Sequence, residues 1–299
     1  MSPSTATSAG SRVDVRKTYK LYIGGAFPRS ESGRSYEVYA APGRGGKRAF
    51  LANAAQGSRK DARNAVVAAR KAVAGWSGAT AYNRGQVLYR VAEVMESRRD
   101  QLVAEVRAAE GVTPARAGAL VDAAIDRWVW YAGWSDKVAQ VTGNVNPVAG
   151  PYFNISAPEP TGVVAVLAPQ DSSLLGLVSV VAPVIVTGNT CVVVASTEMP
   201  LPAITLAECL ATSDVPGGVV NVLTGDAAEM APWLASHLDV NGIDLTGAGG
   251  LDWAALEAAA ADNLKRVRRP AEEDFTALPA LSRMTDWLET KTVWHPKGR

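Results

Sequence analysis

The chain has 299 residues, of which 47% are hydrophobic and 20% are charged, as in a globular protein with a full core. Its formal net charge of +1 gives no electrostatic reason to expect nucleic acid or an anionic membrane as a partner. No apolar stretch free of polar or turn residues is long enough to cross a membrane. Residues 1–15 are rich in Ser and Thr and lack the apolar core of a secretory signal. We therefore expect a disordered tail on a soluble, cytoplasmic protein.

The residues 16–140 that follow are predicted to form a β-hairpin and then helices. The hairpin covers residues 21–38 and turns at Glu31-Ser32-Gly33. Residues 41–57 are expected to form an irregular loop. The cluster Pro42-Gly43-Arg44-Gly45-Gly46 in that loop lacks the Lys-Ser/Thr pair of a phosphate loop, so we interpret it as a surface turn.

Apolar residues at helical spacing predict helices over residues 61–74 and 83–109, and Thr113-Pro114 begins a third helix. The third helix carries four aromatic residues, which are Trp128, Trp130, Tyr131 and Trp134. We interpret this stripe as part of the core, with a ligand cage as the alternative. The two cysteines, Cys191 and Cys209, lie further along in apolar segments and are predicted to be buried, reduced thiols. No metal site is predicted.

Residues 160–268 alternate between apolar β-branched runs and helical segments. The predicted strands cover residues 162–167, 191–194, 219–223, 243–245 and 264–267. The predicted helices cover residues 173–187, 202–211, 227–237 and 251–261. The first strand is apolar throughout, which is typical of a strand buried on both faces. Strands that alternate with helices form βαβ units, so the fold class is α/β with a Rossmann-type, doubly wound parallel sheet.

Four motifs occur in order in this region. They are Glu159-Pro160-Thr161-Gly162-Val163-Val164-Ala165-Val166-Leu167-Ala168-Pro169, Gly188-Asn189-Thr190, Gly217-Gly218-Val219-Val220-Asn221-Val222-Leu223-Thr224-Gly225 and Leu245-Thr246-Gly247. Together they resemble the NAD-binding domain of the aldehyde dehydrogenase family. Upstream, Lys20-Leu21-Tyr22-Ile23-Gly24-Gly25 resembles the family's N-terminal hairpin. The resemblance implies a degenerate cofactor-binding set of five residues, which are Pro169, Ser196, Gly225, Thr246 and Gly247.

The resemblance also implies how the remaining segments are organised. Residues 141–159 look like the first part of the family's oligomerisation sheet, a hairpin with turns at Gly143-Asn144 and Gly150-Pro151. Family members then normally continue into a large catalytic domain after the Rossmann region. Here a charged connector begins residues 269–299, followed by a short helix at 281–288 and the strand Lys291-Thr292-Val293-Trp294. We interpret the chain as a truncated member without the catalytic domain that keeps a strand of the oligomerisation sheet.

The family's reaction uses a cysteine thiolate as nucleophile and a glutamate as base, because a thiolate is nucleophilic near neutral pH. Neither cysteine of this chain lies in a matching motif, and Glu257 lies outside the family's glutamate motif. Asp171 occupies the position of the amide that would donate to the oxyanion, and an ionised carboxylate cannot donate. No catalytic residue is therefore assigned.

Several cofactor contacts of the family are also replaced. Val194 and Thr197 stand where a lysine and a glutamate would hold the ribose, and Ala248 replaces a hydroxyl at the phosphate loop. Asp252 at the start of the next helix would cap that helix and compete with a phosphate. We expect no cofactor, or NAD or NADP bound at most weakly.

These observations favour a non-catalytic structural or regulatory subunit of an intact NAD(P)-dependent aldehyde dehydrogenase. Two copies of this chain could not make the family's reciprocal dimer contact, whereas a full-length subunit could receive its sheet, so the predicted partner is such a subunit. The first alternative is an NAD(P)-dependent aldehyde oxidoreductase with an unrecognised site. The second is a ligand-binding Rossmann module. The tail could also fold back onto its own domain and leave a monomer.

Overall fold

In the computed structural model, residues 15–43 and 46–298 are described. The predicted tail therefore lies, apart from Val15, outside the described residues. Arg44 and Gly45 of the glycine cluster lie outside them as well. Gly46 closes a turn by donating its N–H to the Gly43 carbonyl at 3.0 Å.

A three-stranded sheet in the order β1-β3-β2 begins the described chain. Its strands are β1 (Thr18–Tyr19), β2 (Ser35–Tyr39) and β3 (Phe50–Ala55). The predicted hairpin over residues 21–38 is wrong, because β2 pairs antiparallel with β3, which lies in the predicted loop. Alanine and asparagine are depleted in strands, and β3 contains three alanines and one asparagine, so its composition hides it. The turn at Gly33 does form: its N–H donates to the Ser30 carbonyl at 2.9 Å.

Five helices follow, and the first and the fourth match predicted segments. They are α1 (Arg59–Gly78), α2 (Ala81–Ser97), α3 (Arg99–Glu110), α4 (Pro114–Trp134) and α5 (Val138–Thr142). The single helix predicted over residues 83–109 is wrong, since α2 and α3 meet at the non-helical Arg98. Buried Met95 and Leu102, on either side of the break, lie two helical turns apart in sequence, so the apolar spacing continues across it.

Helix α4 begins as predicted, with the Thr113 hydroxyl accepting the Arg116 N–H at 3.2 Å. Trp128 and Tyr131 are fully buried, and Trp130 and Trp134 pack partly buried against the same core. The interpretation of the aromatic stripe as core is confirmed. Within the described residues, no helix is both long and apolar enough to span a membrane.

The central sheet has five parallel strands in the order β10-β9-β6-β7-β8. Its strands and helices are β6 (Val163–Leu167), α6 (Leu175–Val186), β7 (Thr190–Val194), α7 (Leu201–Ala211), β8 (Val220–Leu223), α8 (Ala227–Ser236), β9 (Gly242–Asp244), α9 (Trp253–Ala261) and β10 (Arg266–Arg268). Alternate residues of β6 face two cores: Val164 and Val166 pack with α6 and α7, whereas Val163 and Leu167 pack with α1 and α8. The sheet is covered by helices on both faces, so the predicted doubly wound α/β fold is confirmed.

A second three-stranded sheet has the order β11-β5-β4. Its strands are β4 (Asn144–Asn146), β5 (Tyr152–Pro160) and β11 (Leu288–Pro296). Strand β11 pairs antiparallel with β5 along all nine of its residues, from Leu288 opposite Pro160 to Pro296 opposite Tyr152. The C-terminal strand is thus paired with its own chain on one side and forms the sheet's edge on the other. The predicted helix over residues 281–288 shortens to one turn, α10 (Ser282–Thr285), because β11 already begins at Leu288.

A buried ion pair anchors the connector between β10 and β11 to the central sheet. Arg283 Nη1 donates to Asp244 Oδ2 at 2.8 Å, and the two side chains are 5% and 0% exposed. Glu273 of the connector accepts hydrogen bonds from both Arg283 and Arg268. Burial raises the pKa of the Asp244 carboxyl, while its contacts with Arg283 and Thr246 oppose that shift. The connector is therefore fixed to the carboxyl edge of the sheet.

We predict that Arg283→Met lowers the free energy of unfolding by about 3–5 kcal/mol, because it leaves the Asp244 carboxylate buried without its cation. The matched control is Arg269→Met, which removes an arginine that is 65% exposed and paired with Glu257, and which should cost under about 1 kcal/mol. Urea unfolding followed by circular dichroism measures both. Equal losses would show that the buried pair does not hold the connector.

A second constraint lies in the loop after β9. Gly247 donates its N–H to the Leu167 carbonyl at 2.8 Å, and a Cβ at Gly247 would lie 1.8 Å from the Ala168 oxygen. We predict that Gly247→Ala costs about 3 kcal/mol, because the two loops would have to separate. Gly249→Ala, where a Cβ meets nothing within 4 Å, should change stability by under about 0.5 kcal/mol in the same urea experiment. A stable Gly247→Ala variant would contradict this close approach.

Candidate functional site

The carboxyl ends of parallel strands meet at one edge of a sheet, and the predicted cofactor-binding residues lie on the loops there. Pro169 follows β6, Ser196 follows β7, Gly225 follows β8, and Thr246 and Gly247 follow β9. The structure thus places all five residues on four loops at the same edge of the sheet.

Two contacts tie these loops to one another rather than leaving them open. The Ser196 hydroxyl donates to the Gln170 carbonyl at 3.2 Å, which joins the β7 loop to the β6 loop. The Thr197 hydroxyl donates to the Gly225 carbonyl at 3.1 Å, which joins the β7 loop to the β8 loop. Loops connected in this way are rigid, and their hydroxyl protons are already donated.

Gln170 adds a bridge that sequence reasoning missed. Its side-chain Nε2 donates to the Ala168 carbonyl at 2.8 Å, and its Oε1 accepts the Thr197 N–H at 3.1 Å. A backbone N–H at such a loop could otherwise face an anion. In this chain the Thr197 N–H is taken by a glutamine of the neighbouring loop.

Thr246 is also held inside the protein. Its N–H donates to Asp244 Oδ1 at 2.9 Å, and its hydroxyl donates to the same carboxylate. The hydroxyl oxygen accepts from Arg283 at 3.2 Å. Asp244 of β9 and Arg283 of the connector together therefore occupy the N–H and the hydroxyl of the residue that would begin the phosphate loop.

The residues that stand in place of the family's cofactor contacts have structural roles in this chain. Val194 and Ala248 are fully buried in the core on the α1 and α8 face of the sheet. Asp252 caps α9, since its carboxylate accepts the Ala255 N–H at 3.1 Å, as its position predicted. Asp171 is exposed.

These residues can be tested for their fit to a dinucleotide. Such a ligand needs donors that are free to meet its phosphates and ribose hydroxyls. Among the described residues, the loops 168–172, 195–199, 224–226 and 245–248 contain no buried side-chain polar atom without a hydrogen-bond partner. The hydroxyls of Ser196, Thr197 and Thr246 are paired within the protein, so a dinucleotide at this edge would have to use backbone N–H groups or displace these pairs.

The two cysteines are poorly suited to nucleophilic chemistry. Cys191 and Cys209 are both fully buried, as predicted. Burial raises the pKa of both thiols, that of Cys209 to about 11, so the reactive thiolate is scarce near neutral pH. Within the described parts of the chain, no group of three or more His, Cys, Asp or Glu side chains is placed to hold a metal ion.

Comparisons with known proteins agree on one family. The sequence model of the Aldehyde dehydrogenase family matches residues 30–269. The chain is 32% identical to human Retinal dehydrogenase 2 over 256 residues, which are 84% of this chain and 48% of that protein. It is 30% identical to an Aldehyde dehydrogenase of Davidiella tassiana over 248 residues, or 83% of this chain and 49% of that protein.

Solved structures give the same result. The structure of the NAD⁺ complex of an aldehyde dehydrogenase from Bacillus cereus superimposes with a TM-score of 0.77 at 25% identity, covering 84% of this chain and 50% of that one. The HpcC protein of Thermus thermophilus matches with a TM-score of 0.77 at 28% identity, over 84% of this chain and 47% of its own. The chain thus spans about half the length of the relatives it matches, and it belongs to the aldehyde dehydrogenase family.

Proposed function

We propose that this chain is a non-catalytic structural or regulatory subunit that docks onto an intact NAD(P)-dependent aldehyde dehydrogenase through the sheet β11-β5-β4. The observation that carries the proposal is a largely exposed apolar face of this sheet, over which the described chain places the Lys297 ammonium, 4.9 Å from the centroid of the Phe153 ring. We call it the apolar sheet face and define it by four side chains, which are Val145, Phe153, Ile155 and Val293. Their exposed fractions range from 44% to 66%.

Strand register places these side chains together. Ile155 lies opposite Val293 on one side and opposite Val145 on the other, and Phe153 is two residues away on the same face of β5. On the other face of β5, Asn154 is buried and Ser156 half-buried, while Tyr152 at the strand's start is exposed and packs against Trp294. An apolar cluster on the outward face of a small sheet is typical of an interaction site.

The partner that we propose for the apolar sheet face is a full-length aldehyde dehydrogenase subunit. Strand β11 forms the free edge beside the apolar sheet face, and an exposed edge strand can extend a sheet in a partner. The family resemblance supplies the partner, because the sheet at this position joins the catalytic domain of a neighbouring subunit. Two further observations fit a subunit without its own chemistry: the paired polar groups at the carboxyl edge, and the buried thiols. Free thiols suit a reducing compartment, so we place the assembly in the cytoplasm.

For the isolated chain, we predict an NAD⁺ dissociation constant above about 1 mM and no NAD⁺-dependent oxidation of aldehydes. Each lost hydrogen-bonded or charged contact costs roughly 1–3 kcal/mol, so several losses carry a micromolar ligand beyond millimolar. Calorimetric titration with NAD⁺ measures the affinity, with a full-length family enzyme as positive control. A micromolar constant, or aldehyde oxidation that Cys209→Ser abolishes, would favour the enzyme alternative.

The docking test uses two matched substitutions on β11. Val293→Asp places a charge on the apolar sheet face, whereas Thr290→Asp places one on the opposite face, where Thr290 pairs with Pro158. Both positions are exposed, so both variants should fold. Each tagged variant is co-expressed with a full-length aldehyde dehydrogenase from the same organism. We predict that the unchanged chain and Thr290→Asp co-purify with the enzyme, and that Val293→Asp loses at least about 90% of it, because a buried unpaired charge opposes association.

Three outcomes would contradict the proposal. Equal recovery of the enzyme with both variants would show that the docking surface lies elsewhere on the chain. Failure of the unchanged chain to recover any such enzyme would reject the partner. Sedimentation of the isolated chain as a dimer that Val293→Asp dissociates, with no recovered enzyme, would assign the apolar sheet face to a second copy of this chain.

A further inference from the structure

A cavity of about 420 Å³ lies between α4, α6 and the connector. We call it the connector cavity. Its polar lining comes from α4, α6, the end of β10 and the connector, and consists of Arg127, Tyr131, Ser179, Arg268, Glu272, Glu273, Asp274 and Arg283. Its apolar lining comes from the connector, at Phe275, Ala277, Leu278, Pro279 and Ala280. A volume of this size is at the lower end of the range of small-molecule sites.

The first observation is a buried guanidinium without a carboxylate. Arg127 is 8% exposed and donates only to neutral oxygens, which are Ser179 Oγ at 3.1 Å, the Phe275 carbonyl at 2.7 Å and the Ala277 carbonyl at 2.9 Å. Asp274 attracts Arg127 through space from the same cavity wall, but it is exposed and its carboxylate accepts hydrogen bonds from Thr276 rather than from Arg127. Buried charges in proteins are normally paired, so Arg127 is a cation prepared for an anion.

The second observation is a buried hydroxyl without a partner. Tyr131 is fully buried, lines the connector cavity, and its hydroxyl has no hydrogen-bond partner among the described residues. Burial raises the pKa of this phenol, which therefore stays protonated and available as a donor. Arg268 Nε is likewise buried without a partner. Leaving such donors unsatisfied destabilises the free protein, and a bound acceptor would remove that cost.

The charges around the cavity limit the ligand to one negative charge. Arg268 and Arg283 already pair with three carboxylates, which are Asp244, Glu273 and Asp286. In the described chain, Arg127 is the one guanidinium of the three without a salt bridge, and the carboxylates of Glu272 and Asp274, which also line the cavity, are exposed and therefore screened by water. A monoanion can pair with Arg127, whereas a second negative charge would lie near Glu272, Glu273 and Asp274 without an arginine of the described lining free to pair with it.

We propose that the connector cavity binds a small monocarboxylate, with the carboxylate accepting from Arg127 and the Tyr131 hydroxyl and a short apolar body against Phe275 and Leu278. Planar carboxylates match the fork of donors that a guanidinium presents. The inference does not depend on the docking function, because the cavity lies inside one chain.

The test uses acetate, butyrate and benzoate as probes, benzamide as an uncharged analogue of benzoate, and inorganic phosphate as a different anion. Calorimetric titration and thermal unfolding of the full chain measure binding. We expect saturable binding of at least one of the carboxylates. We expect benzamide to bind at least about tenfold more weakly than benzoate, as for loss of a charged hydrogen bond, and phosphate to bind more weakly still.

Tyr131→Phe is the decisive variant, because it removes only the unpartnered hydroxyl. We expect the free protein to be at least as stable as the unchanged chain, and its affinity for the carboxylate to fall about tenfold. Arg127→Gln should lower the affinity by a similar or larger factor, while the exposed Tyr89→Phe should leave it unchanged. Binding of none of the carboxylates, equal binding of benzoate and benzamide, or unchanged affinity in Tyr131→Phe would overturn the proposal.

Discussion

The buried ion pair between Asp244 and Arg283 determines how the last part of the chain is arranged. Two buried charges lose their water, and only full hydrogen bonding offsets that cost. Here Asp244 accepts from Thr246 as well as Arg283, and Arg283 also reaches Glu273, so the pair is well satisfied. From this anchor the connector forms one wall of the connector cavity and leads into β11. The same contact removes Thr246 from any ligand.

The carboxyl edge of the sheet illustrates how a binding edge can become a structural one. An edge that binds a cofactor must keep donors unpaired in the free protein, which destabilises it. In this chain Gln170, Ser196 and Thr197 pair with one another across three loops. A cofactor bound at this edge would have to break some of these hydrogen bonds, whereas the free protein is stabilised by keeping them. The retained family motifs build the backbone of this edge, and the hydroxyls of Ser196 and Thr197 are paired across it.

Sequence patterns predicted most of the central sheet because strands buried on both faces, such as Val163–Leu167, have an unambiguous composition. The patterns missed β3, because its alanines are untypical of a strand. They also missed the break between α2 and α3 at Arg98, because the helical spacing of apolar residues continues across it. The loops carrying the candidate site followed from topology, since parallel strands end at one edge. Their internal pairing did not, because Arg283 is 39 residues from Asp244 and nothing local links them. One signal was available: Asp244, a charge within an apolar strand, requires a cation nearby.

The pairing of β5 with β11 also bears on how the protein is made. Ser156 and Thr292, which face each other, are 136 residues apart. At roughly 5–20 residues per second of translation, β5 emerges about 7–27 seconds before its neighbour is synthesised. During that interval Phe153 and Ile155 belong to a nascent strand with an open edge, the kind of segment that chaperones hold and that aggregates when they do not. The yield of native protein then depends on the rate of ribosomal elongation as well as on its final stability.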